Sequence, residues 1–274
     1  MVMKSEFHGL LEEHTEGLRK LLYLQGQYGL VVEVDGPALR IEQPQRANML
    51  YPLVRLARVL SKGGVHWSCE ALLACAEAGI PVVFLDGEGG VRGYLFGASS
   101  GEDTLYLRLR SCVRRPDGLD RYIAWRRTMA AHAQRALEQQ LRQADGGVGA
   151  TPGWQGLTPI SWWAAIAPTD AVMNRRLGGL LAGLSAQLWV EAGLNAKRLV
   201  SLEPLSLLDD LADLLGWALA KPLLTALRRW NEGESKLDMR DEQSLTALVE
   251  LHRGEIFRFG WLLLDGLEKW LEER

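Results

Sequence analysis

Val65 to Gly97 reads VHWSCEALLACAEAGIPVVFLDGEGGVRGYLFG, and this stretch decides the fold. Its first half carries Leu72, Leu73, Cys75 and Ala76 at helical spacing; its second half carries the β-forming run Ile80-Pro81-Val82-Val83-Phe84-Leu85. Ala78-Gly79 separates the two as a glycine stop. An acidic, glycine-rich turn follows from Asp86 to Gly90, and then a second short strand. The pattern predicts a helix that covers a sheet, hands the chain to a strand, and ends in a hairpin.

Upstream, Leu22-Tyr23-Leu24, Leu30 to Val34 and Ala38 to Ile41 are short β runs. They are separated by Gln25-Gly26-Gln27 and Asp35-Gly36-Pro37, which is turn chemistry. Tyr51 to Leu60 reads as one alternating strand, with Leu53, Arg55, Ala57 and Val59 on one face and Val54, Leu56, Arg58 and Leu60 on the other. Met1 to Leu22 reads as a short helix or a lead-in. Residues 1–97 are therefore expected to form a small β-rich N-terminal domain, and residues 98–104 a polar hinge.

Beyond the hinge the period becomes helical. Arg121 to Ala144, Ala171 to Glu191, Leu205 to Trp230 (interrupted near Pro222) and Gln243 to Leu271 are the strong helical segments. Asp145 to Pro159 and Asn231 to Asp241 read as loops. The expected class is α+β: the β-rich domain, then a larger all-α helical domain over residues 105–274.

Composition narrows the function only a little. The 274 residues are 47% hydrophobic and 24% charged, which suits a globular chain with a sizeable core. The net charge of −3 excludes a chain that is basic overall. Three cysteines without a C-x-x-C pair argue against a zinc site or disulfide framework and point to reduced thiols in a cytoplasm. There is no apolar leader and no run of membrane-spanning length, so a membrane is not among the expected partners.

Local charge says more. Leu105 to Arg142 holds Arg108, Arg110, Arg114, Arg115, Arg121, Arg126, Arg127, Arg135 and Arg142, with few acids between them. Arginine suits phosphate because its planar fork binds bidentately. Arg108 and Arg110 alternate as on a strand or extended arm, and Arg175 and Arg176 begin the central helix. This clustering points to sequence-tolerant, salt-sensitive DNA contact. The alternative is a solvated face balanced by acids elsewhere.

The opening stretch resembles the end of the N-terminal domain in the CRISPR-associated spacer-acquisition integrases, the family of the first adaptation protein. Ala167-Pro168-Thr169-Asp170-Ala171-Val172-Met173-Asn174, Glu191-Ala192-Gly193-Leu194-Asn195, and Ser206 to Asp213 resemble three further family segments, in family order. The resemblance implies a β domain joined to a helical one. It also implies DNA cutting and joining with Mg²⁺ or Mn²⁺ held by a Glu, a His and an acidic residue. The implied partners are DNA, a second copy of the chain in a homodimer, and a small dimer of the second adaptation protein. An intact paralogue supplying catalysis is a further candidate partner. Arg92 falls where the family places a DNA-contacting basic residue.

The metal set departs from the family pattern. Gln155 stands where the Glu belongs, and an amide carbonyl is a weaker ligand for a hard dication. Lys197 to Leu202 contains no His where one is expected, with Ser201 or Leu202 at that place. Asp210 and Asp213 lie three apart and share a helix face, so they are the acidic candidates; a solvated helix start is the bland alternative. His252 with Glu250 and Glu255 is a candidate displaced site. The expected function is thus a DNA-binding subunit for prespacer capture and spacer integration, with a degraded metal site. The alternatives are an active metal-dependent endonuclease or integrase, and a non-catalytic interaction or regulatory protein that keeps the fold. Trp261 to Leu271 either docks a partner or packs inside the bundle.

Overall fold

The computed structural model describes residues 19–26, 29–98, 104–144, 171–194, 196–200, 202–233, 238 and 241–273. Eight strands come first: β1 (Lys20–Gln25), β2 (Val31–Asp35), β3 (Ala38–Glu42), β4 (Met49–Pro52), β5 (Leu56–Lys62), β6 (His66–Trp67), β7 (Val82–Leu85) and β8 (Val91–Leu95), with helix α1 (Cys69–Glu77) between β6 and β7. Helices follow: α2 (Thr104–Val113), α3 (Gly118–Ala144), α4 (Ala171–Glu191), α5 (Ala196–Val200), α6 (Leu207–Asn231), α7 (Glu242–Leu251) and α8 (Arg253–Glu272). The α+β class expected from the sequence is the class observed.

The strands form two sheets. The first has the order β1-β5-β7-β8, with β1, β5 and β7 parallel and β8 antiparallel to β7. The second has the order β4-β3-β2-β6, a meander with β6 added parallel to β2. Every residue of β5 is buried, as expected of a central strand in a sheet covered on both faces. Side chains on such a strand alternate between two cores. Val59 and Val82 join Val32, Leu39, Ile41, Ala71 and Cys75 under α1 and the second sheet. Leu60, Val83 and Leu85 point the other way, into the helices with Leu177, Leu184 and Leu188. Each such fully buried aliphatic side chain stabilises by about 1.5–3 kcal/mol.

The stretch Val65 to Gly97 folds largely as its sequence predicts. The Ser68 hydroxyl caps α1 by accepting from the Ala71 N–H at 3.1 Å, and Gly79 ends the helix with φ +66°. The turn between β7 and β8 is built by Asp86, whose Oδ1 accepts from the N–H groups of Glu88 (2.8 Å) and Gly90 (2.9 Å). Those backbone donors hold its carboxyl below the usual range. Helix α4 then lies directly on the first sheet. A Cβ at Gly179 would come within 2.3 Å of the Gly89 carbonyl oxygen, and one at Gly183 within 2.8 Å of Leu60. At Gly179, where the obstacle is backbone, only glycine permits that approach.

Several expectations are corrected. Tyr51 to Leu60 is not one strand: a 3-10 turn at Leu53–Arg55 separates β4 in one sheet from β5 in the other. A single amphipathic alternation cannot describe a segment that changes sheets. Helix α6 runs from Leu207 to Asn231 through Pro222 without interruption. Leu219, Leu223 and Leu227 bury the same face before and after the proline, and that packing offsets the lost backbone bond. Gln243 to Leu271 is two helices, broken at His252 (φ −96°, ψ 8°). The short β6 has no signature of its own in a run that looks like the approach to α1. Most of Met1 to Leu22, most of the 98–104 hinge and the loop Asp145 to Pro159 lie outside the described residues.

Candidate functional site

The acidic start of α6 is held rigidly from behind. Ser185 and Trp189 of α4 donate to the carbonyls of Leu208 (2.7 Å) and Leu207 (3.0 Å). These carbonyls belong to the first turn of α6, so its orientation is set by two buried side chains rather than by solvent. The same turn carries Asp209 and Asp210, where the helix N-terminus favours negative charge.

Asp210 is not a solvated helix-start acid. It is 6% exposed, and its Oδ1 is hydrogen-bonded and ion-paired with the Arg126 guanidinium from α3. Asp213, one turn on, is half-buried. Desolvation raises its carboxyl above the usual range, while Arg126 pulls it down and Asp209 pushes it up. The two predicted acids therefore do converge, around an arginine. Asp209 also bears on Tyr94 of β8, whose phenol burial pushes well above its usual range.

Among the described residues, no three of His, Cys, Asp or Glu gather in a group that could hold a metal ion. Gln155 and Ser201 lie outside the described residues, and Leu202 is fully buried with no oxygen or nitrogen in its side chain to offer. With an Asp210 oxygen occupied by a guanidinium, the described donor set does not fit the divalent cation that the resemblance implies. The displaced site does not assemble either. The His252 Nδ1 lies 3.6 Å from Glu255, but Glu250 turns away to Arg58 and Arg253.

The arginines differ in setting. Arg108 and Arg110 are on helix α2, not on a strand or extended arm. Leu105 and Leu109 anchor that helix in the core, which places Arg108 near the end of α8, 2.6 Å from Glu272. Arg121 pairs with Asp117 at 3.0 Å, Arg126 with Asp210, and Arg175 with Glu88 in the β7–β8 turn. Arg176 packs against Gly89, its Cα 3.0 Å from where a Cβ would lie. Arg92, Arg110, Arg114, Arg115, Arg127 and Arg135 are exposed. Arg127, Ala131 and Arg135 repeat every four residues along the exposed side of α3, next to exposed His132. Arg142 has no described side chain.

Sequence reading misses a second charged cluster, at the seam between the first sheet and the helices. Arg58 on β5 is 1% exposed. Its Nη1 donates to Gln187 Oε1 of α4 at 2.8 Å, and its Nη2 pairs with Glu250 of α7. Burial lowers the Arg58 guanidinium from its ordinary value and Glu250 raises it, so the charge is retained by its partner. Two residues along the same face, Lys62 Nζ sits 2.7 Å from Glu242 at the start of α7. Gln25 Nε2 donates to the same carboxylate at 2.8 Å, and the Tyr23 hydroxyl also bonds it. The available signal is two cations spaced by four in a run otherwise apolar enough to be a central strand.

Trp261 to Leu271 packs its buried face inside the bundle, the second of the two readings. Leu263, Leu264 and Leu267 are buried and Trp270 packs near Trp125, whereas Leu262 is exposed. No helix among the described residues is long and apolar enough to cross a membrane.

Residues 22–145 match the family model described as CRISPR associated protein Cas1. No curated protein matches the sequence significantly. Among solved structures, TM1797, a Cas1 protein from Thermotoga maritima, aligns with 92% of this chain and 96% of its own at 14% identity and a TM-score of 0.67. TtCas1 in a DNA complex aligns with 90% of this chain and 91% of its own, at 21% identity and a TM-score of 0.58. A Cas6-RT-Cas1–Cas2 complex contains a chain that covers 94% of this one over 36% of its own length, at 13% identity and a TM-score of 0.56. The segment from β1 through α3 thus matches the Cas1 family model, and most of the chain shares its fold with Cas1 proteins.

Proposed function

We propose that the chain is a DNA-binding subunit for the capture of prespacers and their integration as new spacers, with Asp210 engaged by arginine rather than by metal. The observation that carries the reading is the exposed arginine set on α2, α3 and the turn between them. Arg110, Arg114, Arg127 and Arg135 lie in solvent on helices or turns whose other faces are fixed in the core. Arginines held this way by a rigid scaffold offer phosphates a preformed, sequence-tolerant surface. Support comes from the Cas1 family-model match over residues 22–145 and from the resemblance to TtCas1, whose solved complex contains DNA.

The proposed partners follow from the same reading. A second copy of the chain would dock through the β domain, where the edge strand β4 exposes Met49 and Leu50 and the following turn exposes Val54. An unprotected apolar edge is a ready surface for a partner. The second adaptation protein is proposed as a further partner, since the Cas6-RT-Cas1–Cas2 complex joins a similar chain to Cas2.

The test is a mobility-shift titration with splayed duplex DNA in chelator, over a salt series. Binding at low salt that weakens steeply as salt rises is the expected result. Absence of binding at low salt would refute the reading, and Mn²⁺-dependent cleavage lost in Asp210→Ala would replace it with an active endonuclease.

A further inference from the structure

We infer that Arg126 is the resident counter-ion of Asp210, a built-in cation that ties α3 to α6 at the place where a Cas1 metal would be held. This deepens the functional reading above and rests on it for the expectation of a metal, but the ion pair stands by itself.

Three observations carry the inference. Asp210 is almost wholly buried, so its charge requires a partner; an unpaired carboxylate there is strongly unfavourable. Arg126 supplies that partner from a different helix, by a direct hydrogen bond as well as by charge. The acidic turn cannot rotate away to free an oxygen, because Ser185 and Trp189 fix the carbonyls of Leu208 and Leu207 that begin it. A divalent ion would have to displace the guanidinium from the Asp210 oxygen that it holds. Mutual repulsion between the two cations opposes that exchange. The same guanidinium lowers Asp213, so a single arginine side chain offsets the acids on this face of α6.

The pair makes a prediction that a solvated acid or an ordinary metal ligand would not. Mn²⁺ should not bind at Asp210 in the wild-type chain, and removing the arginine should strand a buried carboxylate rather than open a metal site. The probe is Mn²⁺ alone, followed by the loss of its free-ion electron paramagnetic resonance signal on titration into the full chain, without DNA. The wild-type chain should leave the signal at free-ion amplitude. Arg126→Gln should lower the Tm, since it leaves the buried Asp210 carboxylate unpaired, and Mn²⁺ should not restore it because too few donors surround the acid. Adding Asp210→Asn to that variant should recover part of the lost Tm. Arg126→Lys keeps the charge and should resemble wild type in both measurements.

Two results overturn the inference. One is Mn²⁺ binding by the wild-type chain that Asp210→Asn abolishes, because the metal then outcompetes the arginine. The other is an Arg126→Gln chain that is as stable as wild type, because Asp210 would then not need the arginine. If Arg126→Gln does not fold, the Arg126→Gln, Asp210→Asn double variant decides: restored folding supports the pair, and continued failure overturns it. Because no DNA is present, these outcomes are independent of the mobility-shift test.

Discussion

Arg58 and Arg127 carry the same guanidinium in opposite settings. Arg58 is enclosed at the seam between sheet and helices, with Gln187 and Glu250 against it. Arg127 stands in solvent on α3. A buried charge must be matched within the fold, so its contribution is to hold two elements in one arrangement. An exposed charge on a rigid helix contributes little to stability and remains available to an external phosphate. On the proposed reading the two regions divide the chain's basic residues between architecture and DNA binding, and each should be removable without the other.

The largest effect is expected at the seam. Arg58→Ala leaves Glu250 with Arg253 alone, at 3.8 Å, and Gln187 without its donor. Breaking a buried pair from one side costs about 3–5 kcal/mol, which urea denaturation would read as a lowered midpoint. DNA affinity of the molecules that remain folded should be unchanged. If Arg58→Ala is as stable as wild type, the seam is not a stabilising lock and the comparison fails. The second effect is expected on the exposed face. Replacing Arg110, Arg114, Arg127 and Arg135 together by Gln should leave stability within about 0.5 kcal/mol. The salt dependence of DNA binding should flatten by about 0.9 in log–log slope for each phosphate that the variant no longer neutralises. A quadruple variant that binds DNA with the wild-type slope would place the interface elsewhere.

A smaller effect tests the acids between these regions. The Asp213 carboxyl is raised above its ordinary value by burial, so the folded chain holds that proton more tightly than the unfolded chain. Stability therefore falls as pH rises from the ordinary carboxylate value to the raised one, and it stays reduced above that. Asp213→Asn should remove this component, with a modest gain at neutral pH and a flatter acid limb in the pH–stability curve. The gain should be smaller than the loss in Arg58→Ala. An unchanged acid limb would mean that Asp213 is solvated.

What is legible in the sequence and what is hidden there have a common cause. Patterns carried by neighbours along the chain are readable: the helix, glycine stop and strand of Val65 to Leu85, the clustering of arginines before Arg142, and the shared face of Asp210 and Asp213. Relations between distant segments are not. Nothing near Arg58 announces Glu250, and nothing near Asp210 announces Arg126, because those partners meet only when helices pack. The same limit explains why Arg108 reads as extended from sequence. Its alternation with Arg110 is real, but Leu105 and Leu109, four apart, bury one side of a helix. Pro222 misleads in the opposite direction: a local breaker is overridden by packing on both sides of it.

The smallest effect separates the two faces of the first sheet with cysteine chemistry. Cys69 begins α1 and is exposed, whereas Cys75, on the same helix, is fully buried against the strands. Burial alone pushes the Cys75 thiol up to about 12, so almost no thiolate is present at neutral pH and reaction with a maleimide should be negligible. Cys69 should label in the native protein, and Cys75 only after denaturation, as read by mass spectrometry of peptides. The Arg58→Ala variant sharpens the point. Arg58 faces the helices and Cys75 lies in the core on the other side of β5. Under native conditions, loosening the seam should therefore leave Cys75 protected until the whole chain unfolds. Selective labelling of Cys75 in that variant, without global unfolding, would mean that the two cores do not flank one sheet independently. The division of basic residues into a structural set and a binding set would then lose its physical basis, because damage at the seam would spread through the β domain.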